Sequence, residues 1–158
     1  MALVIVLALA AVPVLSKSGL VGVQLQTITL EGSSGWSDGD KRTVSIRFGI
    51  RNDGWTPVTI AGVGRSSSFM KLLKIEGIHA PIVLRSGNVA DVELVYQVAS
   101  CNNIPQEWPI PVQVERPWGT DTVYVEPPPQ EPNSSEDDWS DAWKWHAARA
   151  SYVCDWHI

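Results

Sequence analysis

The chain has 158 residues, of which 44% are apolar and 18% charged, with 12 Lys or Arg against 17 Asp or Glu for a net charge of −5. This length and apolar fraction suit one domain with appendages and exclude a wholly disordered chain. Glu126, Glu131, Glu136, Asp137, Asp138 and Asp141 lie in a stretch without a single Lys or Arg between Arg116 and Lys144. The rest is nearly neutral and lacks the clustered base that neutralises phosphates, so nucleic acid is excluded as a partner.

Residues 2–15 are apolar apart from Pro13. The run is short for a spanning helix, which needs about 20 residues, and suits a signal core of about 7–15. No Lys or Arg precedes it. The segment 1–19 is therefore read as a signal peptide or a membrane anchor, and the chain as extracytoplasmic, either secreted or anchored through residues 2–15.

A β domain is expected over 20–126. Residues 20–30 give a first strand, and the Gly- and Ser-rich stretch 31–40 a loop. From Thr43 the pattern sharpens: Val44, Ile46, Phe48 and Ile50 alternate with Ser45, Arg47, Gly49 and Arg51. Strict alternation gives a strand one greasy face and one wet face. Asn52-Asp53-Gly54 then supplies residues suited to a reversal, and Val58, Ile60 and Val63 follow, so a central β-hairpin is expected across 43–63. Short strands are expected at 69–75 and 82–84, then a turn at Ser86-Gly87-Asn88. A second alternating strand sets Val92, Leu94, Tyr96 and Val98 against Asp91, Glu93, Val95 and Gln97. Next, Ile110, Val112 and Val114 alternate with Pro111, Gln113 and Glu115; Pro111 lacks an N–H, which predicts an edge strand or a bulge. The turn Arg116 to Thr120 leads to a partner strand at 122–125. About seven strands and no helix before residue 136 predict an all-β, antiparallel immunoglobulin-like β-sandwich with a short C-terminal helix.

Pro127-Pro128-Pro129 opens a proline-rich, acidic linker, 127–137. Beyond it, 138–158 holds Trp139, Trp143, His146, Ala147, Ala150 and Cys154 at spacings of three and four. A helix over about 138–150 with an extended end is expected; a terminal strand from Ala148 to Ile158 is the rival. Two cysteines, Cys101 and Cys154, in an exported chain predict one disulfide that docks this Trp-rich element on the domain.

Sites follow from residue types. No Gly-x-Ser-x-Gly elbow, His-Glu-x-x-His, phosphate loop or dinucleotide fingerprint occurs, so no catalytic residue, cofactor or metal ligand is assigned and the chain is read as no enzyme. His79, His146 and His157 are scattered and read as surface or interface residues. The unusual count is eight tryptophans. Trp36, Trp55 and Trp118 fall in expected loops and turns and form the candidate binding surface, because exposed indoles bring large apolar area and few rotors to a partner.

Arg47-Phe48-Gly49-Ile50-Arg51-Asn52-Asp53-Gly54, followed by Pro57-Val58-Thr59-Ile60 and by the turn and strand from Leu84 to Val98, resembles bacterial extracellular immunoglobulin-like modules, the cell-adhesion-related domains among them. The resemblance spans about residues 40–100, implies a β-sandwich and carries no catalytic residues. Three functions are weighed. The first is a non-catalytic exported or membrane-tethered protein with a structural or binding role at the cell surface, its partner a protein or glycan. The second is a carbohydrate- or cell-wall-binding accessory module using exposed Trp. The third is a hydrolase using loop carboxylates, for which no nucleophile–base pair is visible.

Overall fold

The computed structural model describes residues 22–31, 35–128 and 144–155. Within them run β1 (Leu25–Ile28), β2 (Ser37–Asp38), β3 (Thr43–Asn52), β4 (Val58–Val63), β5 (Met70–Glu76), β6 (Ile82–Leu84), β7 (Val89–Val98), β8 (Ile110–Arg116), β9 (Gly119–Val125) and the helix α1 (Trp145–Asp155). The strands form two antiparallel sheets. One has the order β1-β3-β7-β5, with β2 also on β3; the other has the order β6-β4-β8-β9. The segments 1–19 and most of 127–143, with their expected signal, anchor and linker roles, lie outside the described residues.

The two alternating strands make the centre of the first sheet. β3 and β7 pair from Thr43↔Gln97 to Arg51↔Val89. Their even-numbered side chains Val44, Ile46, Phe48, Ile50, Val92, Leu94 and Tyr96 are buried, and the second sheet answers with Ile60, Val112 and Val114. Period-2 patterning thus wrote both inner faces correctly.

The expected hairpin across 43–63 is corrected. β3 and β4 lie in different sheets, so the connection 53–57 is an arch that carries the chain from one sheet to the other. Alternation fixes which side chains face inward; it does not say whether the next strand pairs alongside or faces across the core. Asn52, Asp53 and Gly54 all keep negative φ, so no left-handed turn forms there. Instead the buried Asn52 side chain holds the arch. Its Nδ2 donates to Thr56 O (2.8 Å) and Leu84 O (3.0 Å), and its Oδ1 accepts from Gly54 N (2.9 Å).

Pro111 also corrects an expectation, since β8 lies between β4 and β9 rather than at an edge. The Pro111 carbonyl accepts from Gly64 N, one residue past the end of β4. In an antiparallel strand a residue's N and O point the same way, so the missing N–H faces a place where the ladder has already ended.

The C-terminal element is helical, and the rival terminal strand is corrected. Ala147, Ala148 and Ala150 favour helix, and the helix runs on to Asp155 because Val153 is buried and Cys154 is bonded to Cys101. Two attachments of α1 and one of Lys144, the residue before it, land on the one loop between β7 and β8: the disulfide to Cys101, His146 Nε2 to Pro105 O (2.8 Å) and Lys144 Nζ to Glu107 Oε1 (3.3 Å). The disulfide spans 53 residues. Chain-entropy reasoning gives roughly 4 kcal/mol for such a loop. A Cys101→Ser/Cys154→Ser double variant is expected to lose about that much in urea unfolding; a loss below about 1 kcal/mol would contradict this account.

Candidate functional site

The register gives the sandwich two unlike poles. One, the helix pole, holds the β4–β5 and β7–β8 connections and α1. The other, the loop pole, holds the arch 53–57, the β6–β7 turn and the β8–β9 turn.

The helix pole is closed by rings. Phe69 meets Trp108 edge-on at 5.4 Å, Tyr96 lies 6.0 Å from Trp145 and 6.4 Å from Trp108, and Trp145 meets His146 at 5.9 Å. The Arg65 guanidinium sits over Trp108 at 5.2 Å. Tyr96, Trp108, Trp145 and His146 are all buried, which corrects the reading of His146 as a surface or interface histidine. Burial holds the His146 pKa below its ordinary value, against the pull of the Pro105 carbonyl. Periodicity had pointed to Trp139 and Trp143, which lie outside the described residues; the ring it passed over, Trp145, is the one that fills the pole.

Burial also pushes the Tyr96 phenol up to about 12, with the Arg65 backbone and the Trp108 side chain pulling the other way. An unfolded tyrosine titrates near 10. Between pH 10 and 12 the unfolded chain therefore gives up a proton that the folded chain keeps, so the Tyr96 contribution to stability is constant below pH 10 and falls as pH rises toward 12. The expected loss is at most about 3 kcal/mol. Tyr96→Phe should erase this alkaline limb in urea unfolding across pH 9–12; an unchanged limb would contradict the assignment.

The loop pole carries two of the expected tryptophans. Trp55, in the arch, is 89% exposed, and Trp118, in the two-residue turn between β8 and β9, is 64% exposed. Thr59 pairs with Glu115, so the residues just before β4 and the residues just after β8 leave the second sheet side by side. Each indole has an ion pair close in sequence. Arg51 Nε reaches Asp53 Oδ1 at 2.6 Å, two residues before Trp55 in the chain. Arg116 Nε lies 3.4 Å from Asp121 Oδ2, and its guanidinium sits 5.7 Å from the Trp118 ring centroid. Pairing with Asp53 raises the Arg51 pKa.

Sequence reasoning passed over these four charged residues. The signal for Arg116 was present: it continues the inward row Ile110, Val112, Val114, where a charge at a strand end needs a partner.

Trp36 does not join them. It lies on the outer face of the first sheet, toward the helix pole, its carbonyl accepting from Ser45 N, its own N–H donating to Ser45 Oγ and its Nε1 donating to Glu93 Oε1 (3.0 Å). Two of the three candidate tryptophans thus share an end of the sandwich, and the third lies apart from it. On the same face Arg47 forks onto Asp91 and holds its carboxyl below the usual range, so Asp91 stays ionised and paired.

The chain matches no family model and no curated protein. Among solved structures it is similar to the secreted serine protease VesC from Vibrio cholerae (16% identity, TM-score 0.37, 54% of this chain and 19% of that one). It is similar also to the Vibrio cholerae VesB protease (16%, 0.34, 52% and 26%). A third is the cupredoxin domain of amoB from Nitrosocaldus yellowstonii (9%, 0.35, 63% and 66%). The chain spans about a fifth to a quarter of the two protease chains.

One expectation is corrected by these findings. The chain was read as no enzyme because local motifs were missing, yet two of the similar structures are serine proteases, and that exclusion does not stand. The physical reason is that motifs test only short stretches, whereas catalytic groups are assembled from distant ones. At these TM-scores the overlap assigns no protease chemistry to any residue of this chain.

Proposed function

We propose that this chain is an exported or membrane-tethered β-sandwich of immunoglobulin-like type that binds a partner at the cell surface through its loop pole. One observation carries the reading: Trp55 and Trp118 stand 89% and 64% exposed on neighbouring connections. A buried Trp removes roughly 150–250 Å² from water, so two indoles held out in solvent forgo several kcal/mol that a partner would recover. The immunoglobulin-like type is supported by strand order. β1-β3-β7-β5 against β4-β8-β9 matches the A-B-E-D and C-F-G sheets of that fold, with β6 added beside β4. In that arrangement the arch and the β8–β9 turn correspond to the B–C and F–G loops, which share one end. Export is supported by the disulfide, which belongs to an oxidising compartment.

The test is binding to envelope preparations of the producing organism. Trp55→Ala and Trp118→Ala should each weaken retention about tenfold, with melting shifted by no more than about 0.5 kcal/mol because neither ring is buried. Trp36→Ala serves as the off-pole comparison and should bind like the parent. Retention unchanged in both loop-pole variants would refute the proposal.

A further inference from the structure

We propose that the free edge of β9 is a self-association surface, on which two copies of this chain join antiparallel with a two-fold axis at Thr122. An unpaired strand edge is a template for another strand, and edges are ordinarily kept short, bulged or studded with lysine. The other edges of the two sheets follow that rule. β1 and β2, which share one edge, have four residues and two, and β6 has three. β5 is longer, but it carries the exposed Lys71 and Lys74 and a break in register between Leu72 and Lys74. β9 has none of these devices. It runs for seven residues, pairs with β8 in unbroken register and holds no Lys or Pro. From Thr120 to Val125 every residue but Asp121 is β-branched or aromatic, the types that suit a strand.

Pro111 shows which groups face the open edge. Its carbonyl accepts from Gly64 N, on the β4 side of β8. Pro111 therefore stands in a non-hydrogen-bonded pair with Tyr124, and both turn their backbone groups away from each other. The Tyr124 N–H and C=O point out of the sheet, and so do those of every second residue before it, Thr122 and Thr120. All three side chains are exposed, while Val123 and Val125 sit on the inward row opposite Val112 and Ile110. Among the described residues no strand lies against this side of β9. The open length ends at Glu126, whose carbonyl accepts from the Thr27 hydroxyl, with Pro127 and Pro128 beyond it.

A second copy fits this edge because the edge complements itself. With the axis at Thr122, that residue meets Thr122 of the second copy, and Thr120 meets Tyr124 on either side. All three outward residues of each strand are then used, for about six bonds between the chains. Thr–Thr and Thr–Tyr are favourable cross-strand neighbours. Asp121, the one charged residue of β9, stands opposite Val123 and is paired with Arg116 of its own chain, so no net charge on the edge repels the copy. An axis at Asp121 would instead set two carboxylates face to face, and one at Val123 would need Glu126, whose carbonyl Thr27 holds. The joined sheet sends the two β8–β9 turns to opposite ends, roughly 27 Å apart along the strands. The contact is one strand wide, below the ~1,200 Å² of a stable interface, so the dimer is weak, with a Kd on the order of 100 μM.

Sedimentation of the full chain from about 5 to about 500 μM tests this, with a dimer expected to grow in as concentration rises. Amide exchange at Thr120, Thr122 and Tyr124 should be fast in the dilute chain and slow in the concentrated one. Thr122→Pro removes the N–H at the axis, which has no partner in β8, so an edge strand accepts the ring. Thr122→Lys sets two ammonium groups opposite each other at the axis and touches no core residue. Each is expected to weaken the dimer at least about tenfold. Trp55→Ala, at the loop pole, should leave the dimer unchanged.

A chain that stays monomeric at the highest concentration overturns the inference. So does a dimer that Thr122→Lys leaves at full strength, because it would be built on another surface. Slow exchange of the three amides in the dilute monomer overturns it as well, since the chain would then cover this edge itself. Should Thr122→Pro fail to fold, Thr122→Lys decides alone. None of these outcomes touches the loop pole, whose own test is envelope retention.

Discussion

Phe48→Asp is expected to abolish folding. Phe48 is fully buried in the middle of β3, opposite Val92 on β7, with Ile46 and Ile50 on the same inward face. The substitution removes a large ring from a close-packed layer, which alone costs about 3–5 kcal/mol. It also leaves a carboxylate among apolar neighbours, a further penalty of several kcal/mol if it stays ionised. A domain of this size holds about 5–15 kcal/mol in all, so the sum consumes most or all of it. Far-UV circular dichroism and a lost melting transition would report the result. Phe48→Leu, which keeps an apolar side chain there, should fold. A soluble Phe48→Asp protein with the parent's melting point would contradict the inward assignment of the whole even-numbered row.

Asn52→Ala is expected to cost about 3–5 kcal/mol, far more than a polar-to-alanine change in a loop. The Asn52 side chain bonds three backbone groups, Thr56 O, Leu84 O and Gly54 N, and is itself fully buried. Removing it strands those groups, at about 1–3 kcal/mol for each buried one. Its backbone is engaged too, donating to Asn88 O and accepting from Gly87 N. The residue therefore ties the arch to both the β6 end and the β6–β7 turn, two of the three connections at the loop pole being joined through it. Urea midpoints with an unchanged slope would measure the loss. Because the arch carries Trp55, the same variant should also loosen envelope retention. A cost under about 1 kcal/mol would show that the arch is held by other means.

Both residues were visible in the sequence, but only one for the right reason. Phe48 was read as inward-facing from alternation, and so it is. Asn52 was read as a turn former chosen for backbone freedom; its role comes from its amide, which reaches Leu84, 32 residues away. The tryptophans divide similarly. Loop context marked Trp36, Trp55 and Trp118, and each is exposed by more than a third. Which of them share a surface depends on strand order, and the order separates Trp36 from the other two. Trp108, also in an expected loop, is buried under α1 and Arg65 instead. No local pattern announces that, because the cover comes from a helix that begins at residue 145.

The amino-acid order by itself determined the all-β class, the inward rows of β3, β7 and β8, and the pairing of Cys101 with Cys154, because alternation, turn residues and an even cysteine count are properties of neighbouring residues and of composition. Tertiary structure alone decided that β3 and β4 face each other across the core, that Pro111 sits safely inside a sheet, that His146 is buried, and that Trp55 and Trp118 share a pole with two ion pairs. Those outcomes depend on which strand lies beside which, and that choice is made by the summed fit of two whole faces, which no short stretch of sequence contains.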